Sequence, residues 1–85
     1  MNRVTKEQIN ALLESAEISV ETKFDKVTVV VCKLKNGFVI TEASGAVDPA
    51  NYSEEIGKEV CMTRIKNKLW ELEGYYLQKR VAGEE

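Results

Sequence analysis

Eighty-five residues with a single proline and 44% hydrophobic content make one small α+β-sized globular domain over residues 1–85 and leave no room for a second. A formal charge of −2, with a pI of about 5.2, offers no electrostatic basis for gripping duplex nucleic acid or an anionic membrane, and no apolar run approaches the ~20 residues of a membrane span. With no histidine and two cysteines lacking CxxC spacing, neither a metal site nor a disulfide scaffold is expected, and Cys32 and Cys61 read as buried thiols of a cytosolic protein.

The opening, MNRVTKEQIN, has no apolar signal segment, which fits a protein of the cytoplasm. Thr5-Lys6-Glu7-Gln8 has the form of a capping box, and Ile9, Leu12, Leu13 and Ala16 follow at helical spacing, predicting a short helix from Thr5 to Ser15. At three turns it is marginal alone and must lay its apolar stripe on the rest of the domain.

From Ile18 the period changes to two. Ile18, Val20, Thr22 and Phe24 alternate with Ser19, Glu21 and Lys23, as in a strand with one wet face. Asp25-Lys26 is a possible tight turn into Val27 to Leu34, a run rich in β-branched residues. Lys35-Asn36-Gly37-Phe38 then signals a type I′ hairpin, with Phe38 to Ser44 as the return strand. Two-residue turns at both ends predict a register in which Val31 faces Val20, Val27 faces Phe24 and Leu34 faces Val39. Ile18, Val20, Phe24, Val27, Val29, Val31, Phe38 and Ile40 then form the core face, while Val30, Cys32, Leu34, Val39 and Ala43 lie outward and suggest an interface.

Asp48-Pro49-Ala50-Asn51 punctuates the one non-periodic stretch, after which either Asn51 or Ser53 caps a helix reaching about Arg80. Cys61, Ile65, Leu69, Leu72 and Tyr76 project as one stripe, and Ile56, Val60, Thr63, Asn67, Trp70, Gly74 and Leu77 fall on nearly the opposite side. Such a rod, about 27 residues at ~1.5 Å each, is roughly 40 Å long and overhangs a domain about 30 Å across. The second face is covered either by another chain, making the protein a homo-oligomer, or by the N-terminal helix of the same chain. The fold expected is therefore α+β: an N-terminal helix, a three-stranded antiparallel meander, and a long C-terminal helix packed on one sheet face. The residues Val81 to Glu85 read as a frayed end.

Chemistry is sparse. No histidine is available for proton transfer, neither cysteine has a base partner, and no phosphate loop or calcium loop is present, so no catalytic residue, metal or cofactor is expected and the protein is not read as an enzyme. Asn51, Tyr52 and Ser53 with Lys58 are the candidate ligand contacts, because a helix start offers free amides to an anion and Tyr52 adds a stacking surface. Trp70 is a further stacking candidate. Each has a plainer role beside it: a cap and staple for the first set, packing for Trp70.

The run from Val27 to Leu77 carries NGF (Asn36 to Phe38), VDPANY (Val47 to Tyr52), EIG (Glu55 to Gly57) and WELEGY (Trp70 to Tyr75). With these motifs the chain resembles a family of small tailed-phage and prophage proteins, the N-terminal helix lying outside the resemblance. That implies a phage protein working in the host cytoplasm and transfers no site. A chain this small without catalytic equipment is expected to act by binding. It would be either an oligomeric sponge that sequesters a host nucleotide immune signal or an inhibitor or adaptor that masks a host protein.

Overall fold

In the computed structural model, which describes residues 3–83, the chain runs α1 (Lys6–Glu14), β1 (Glu17–Lys23), β2 (Val27–Lys33), β3 (Val39–Gly45), a 3-10 turn (Pro49–Asn51) and α2 (Glu54–Val81). The capping box forms in full: the Thr5 hydroxyl accepts from the Gln8 amide at 3.2 Å while the Thr5 amide donates to Gln8 Oε1 at 2.7 Å. Asp48 caps the 3-10 turn through the Ala50 amide, and of the two candidate caps for α2 it is Ser53 that accepts from Ile56 N, at 3.3 Å. α2 ends where expected, with Ala82 as its cap and Gly83 at φ +75°; Glu84 and Glu85 lie outside the described residues.

The sheet is an antiparallel meander in the order β1-β2-β3, and α2 crosses β2 and β3 on one face of it. The expected register is overturned at both hairpins. Val20 pairs with Val30, Lys23 with Val27, Cys32 with Ile40 and Lys33 with Val39, so each loop holds one residue more than a two-residue turn. At the first loop it is Phe24 and Asp25 that occupy the turn, both at φ 56°, closed by Lys26 N to Lys23 O at 3.1 Å. At the second, Gly37 N reaches Leu34 O and Leu34 N reaches Phe38 O, each at 2.8 Å, with Gly37 at φ +95°. Asn36-Gly37 thus serves a turn centred on Lys35 and Asn36 followed by a glycine bulge, a geometry open to the same dipeptide.

Because both loops lengthen by one, β1 and β3 keep their expected faces and the central strand alone is inverted. Thr28, Val30, Cys32 and Leu34 face the helices and are buried; Val27, Val29 and Val31 point outward, half-buried by their neighbours. Phe24, expected in the core, is 86% exposed at the turn. The physical reason is that β2 is apolar on both faces, so alternation could not choose between them and the turns did.

The core joins Ile9 of α1, Val30, Cys32, Leu34 and Ile40 of the sheet, and Cys61, Ile65 and Leu69 of α2, with Leu12, Leu13, Val20 and Met62 packed around it. α2 runs in the same direction as β2: Gly57 sits on Thr28 near the strand's start, and Leu69 lies beside Leu34 at its end. Those 12 helical residues rise about 18 Å, close to the ~20 Å of the six strand residues beneath. The remaining residues of α2 continue beyond the strand ends, first alongside the hairpin tip and with Arg3, Val4 and Gln8 beside Glu73, Tyr76, Leu77 and Arg80, and the molecule measures 52 × 20 × 20 Å. The overhang is therefore real, and Leu72 and Tyr76, expected in the docking stripe, are 38% and 50% exposed.

Candidate functional site

Depressions lie along α2 at both ends: one at its start, a groove where it leaves the sheet, and beside that groove a recess of about 170 Å³ between α2 and Arg3, Val4 and Gln8. At its start, Asn51, Tyr52 and Ser53 line a shallow hollow of about 140 Å³ with Ser44, Gly45, Ala46, Ile56 and Gly57. The sequence places the chain here through the Pro49 turn, which brings Tyr52 back over the sheet. Its hydroxyl lies 2.6 Å from Thr28 Oγ1 and 2.7 Å from Thr22 Oγ1, and Thr22 also donates to Glu54. Thr28 is fully buried, so this hydroxyl chain satisfies a polar group that would otherwise be costly to bury. Tyr52 is held as a clamp between sheet and helix. The first turn of α2 carries Glu54 and Glu55, which offset the helix's partial positive charge.

Of the other residues singled out from the sequence, Lys58 is exposed and is not among those lining the hollow. Trp70, 40% exposed, follows Lys58 by twelve helical residues, about 18 Å along the axis. The structure brings Asn51, Tyr52 and Ser53 together and sets Lys58 outside the hollow and Trp70 far along the rod.

The groove was not anticipated. Where α2 leaves the sheet, Leu34, Asn36 and Phe38 of the hairpin and Leu69, Leu72, Glu73 and Tyr76 of the helix enclose a groove of about 540 Å³. Its floor is the end of the core, its walls are the half-exposed rings of Phe38 and Tyr76, and Asn36 and Glu73 supply polar edges. Arg80 lies over the Tyr76 ring at 5.7 Å, and Lys79 over Tyr75 at 5.8 Å, so the overhang carries cations beside its aromatic rings. The sequence did contain a signal: a stripe that continues through Leu72 and Tyr76 after the seven-residue strands below it have ended must leave a step.

The two thiols are fully buried. Burial pushes both upward from the ordinary cysteine range; at Cys61 the Arg64 guanidinium pulls the other way and Glu42 adds to the rise. Each is held as the protonated thiol, which is a poor nucleophile. Among the described residues no cluster of acidic residues and cysteines is arranged to hold a metal ion, and no helix is long and apolar enough to cross a membrane.

Residues 4–81 match the phage protein family named for N4 Gp49 and phage Sf6 gene 66. The chain belongs to that family. The match takes in α1 and β1, which the motif-based resemblance left out, so the whole described fold is the family's unit. No curated protein and no solved structure matches the chain.

Proposed function

We propose that this phage protein acts by binding, and that the groove at the hairpin tip takes the planar ring of a small ligand of the nucleotide class, so that the protein sequesters a host signal. The observation that supports this reading is size together with lining. Ligand pockets commonly span about 300–1,000 Å³ and are mostly apolar with a few polar edges. The groove, at about 540 Å³ with Phe38 and Tyr76 as walls, falls in that range; the hollow at the helix start, at about 140 Å³, falls below it. Phe38 and Tyr76 offer stacking surfaces, Asn36 and Glu73 face the edges of a base, and the cations of the overhang suit the phosphates. The helix-start residues Asn51, Tyr52, Ser53 and Lys58 form the competing site, supported by the three that line one hollow.

A thermal-shift panel of cyclic di- and trinucleotides and NAD-derived nucleotides tests the proposal. Saturation at a hundredfold excess over Kd stabilises by about 2.7 kcal/mol, or some 10–20 °C in a domain this small. Tyr76→Ala should abolish the shift while leaving the unliganded Tm nearly unchanged; loss on Lys58→Ala instead would move the site to the helix start. A panel without any shift, with a host protein retained on the immobilised chain, would replace the sponge by an inhibitor of a host protein.

A further inference from the structure

The outer face of α2 carries a second pattern, independent of the groove. Ile56, Val60, Thr63, Asn67, Trp70, Gly74, Leu77 and Val81 are spaced 4-3-4-3-4-3-4, a heptad seam of nearly four repeats. At 100° per residue its centre lies almost diametrically opposite the buried Cys61, Ile65 and Leu69. α1 and the residues before it reach the seam only near its C-terminal end, where Arg3, Val4 and Gln8 share a recess with Glu73, Leu77 and Arg80, and they leave the stretch from Ile56 to Gly74 open. Ile56 is 62%, Trp70 40% and Val81 54% exposed, Thr63 and Asn67 are exposed, and a Cβ on Gly74 would meet nothing within 4 Å. Val60 and Leu77 are half-buried.

We infer that this seam pairs with the same seam of a second copy, the two α2 helices running antiparallel. The warrant is charge complementarity. In an antiparallel pair, the residue before each Val60-type position faces its own counterpart, and the residue after each Ile56-type position does likewise. Pairing the full length of the seam sets Ile56 against Val81, Val60 against Leu77, Thr63 against Gly74 and Asn67 against Trp70. On one flank that register places Lys66 of one copy beside Glu73 of the other; on the other flank it places Arg64 beside Glu71. Two-fold symmetry repeats each pair. Glu59 comes beside Arg80, although that guanidinium already lies over Tyr76, so the argument stands on the first two pairs. Arg64 holds the Ala43 carbonyl of β3 at 2.8 Å through one nitrogen and has further donors for a carboxylate. The layers also match in size, the bulky Trp70 meeting Asn67 and the small Gly74 meeting Thr63. A parallel pair would instead stack Trp70 on Trp70 and leave Gly74 on Gly74, a bulky layer next to an empty one. The polar centre of the seam makes this a reversible dimer.

Sedimentation equilibrium of the full chain from about 1 to 100 μM, repeated on charge variants, tests the inference. The wild-type chain should dimerise. Lys66→Glu sets like charges together twice and should weaken the dimer about tenfold; adding Glu73→Lys to the same chain should restore it. A parallel dimer would pair position 66 with Glu71, so the double exchange would fail to rescue. As a readout free of affinity, Val60→Cys with Leu77→Cys should give a covalent dimer under mild oxidation, whereas Val60→Cys alone should not. A monomer throughout the range, no rescue by the double exchange, or a covalent dimer from Val60→Cys alone would each overturn the proposal.

Discussion

Gly57→Ala is the sharpest test of how α2 is seated. On an exposed helix the change would stabilise by about 1 kcal/mol, since alanine is the best helix former and glycine nearly the worst. Here an added Cβ would stand 2.2 Å from Thr28 Oγ1 and 2.7 Å from Thr28 Cβ. Thr28 is fully buried and bonded to Tyr52, so turning its side chain away from the new Cβ would give up that bond. Either α2 lifts from the sheet or the hydroxyl chain breaks. Overpacking costs about 1–3 kcal/mol and a buried hydroxyl left unpaired about 1–3 more, so a net loss of roughly 1–5 kcal/mol, centred near 3, is expected after the propensity gain of about 1. In a domain of this size a loss of about 3 kcal/mol lowers the Tm by about 10 °C or more. Urea unfolding followed by far-UV circular dichroism measures it, with Gly74→Ala as the contrast because open space surrounds that position. At dilutions where the chain is monomeric, Gly74→Ala should stabilise. If Gly57→Ala matches or exceeds the wild-type stability, the close seating of α2 on β2 is wrong.

Other perturbations address other parts of the structure. Phe24 and Asp25 both sit at φ 56°, where a bulky residue such as Phe costs about 1–2 kcal/mol and Asn or Gly costs less, so the pair Phe24→Asn with Asp25→Gly should raise the Tm by several degrees, measured by calorimetry. Tyr52→Phe removes the hydroxyl that Thr22 and Thr28 share and should cost about 1–3 kcal/mol in chemical denaturation, without changing the shape of the hollow. Stability should fall as pH rises above about 8.5, the thiol range of an unfolded chain. There the unfolded state loses protons that the buried Cys32 and Cys61 keep, so it binds fewer protons and the slope is negative. The decline should be shallower in a Cys32→Ala variant, which removes one of the two thiols, read by denaturation from pH 7 to 10.

The helices were legible in the sequence because their signals are local and redundant. Thr5 and Gln8 state a capping box, Ser53 precedes the long stripe, and the stripe of Cys61, Ile65 and Leu69 has one period and one reading. The outer strands were legible for a similar reason: Ile18 and Val20 alternate with polar residues, as does Ile40. β2 was not. VTVVVCK offers an apolar set on either parity, and the choice rests on whether each hairpin loop holds two residues or three. Asn36-Gly37 accommodates both, and at the first hairpin the left-handed positions fell on Phe24 and Asp25, of which the first has no propensity for them. Gly57 was the overlooked clue to the true parity, since a glycine in the first turn of a docked helix marks a close approach, and what it approaches is Thr28.

The groove follows from that inversion combined with the length of α2. With β2 in the expected parity, Leu34 would point away from the helix and the hairpin tip would have met α2 with Phe38 alone. Turned inward, Leu34 pairs across the loop with Phe38 and the two form a wall facing Leu69, Leu72 and Tyr76. The helix supplies the opposite wall only because it continues for about three turns after the sheet stops, a consequence of its 28 residues against strands of seven. Neither feature makes a site by itself: an overhanging stripe without the inward Leu34 is a bare helix, and an inward Leu34 beneath a shorter helix is an ordinary core edge. The recess thus depends on one unit of register that the sequence leaves open and on a length that it states plainly.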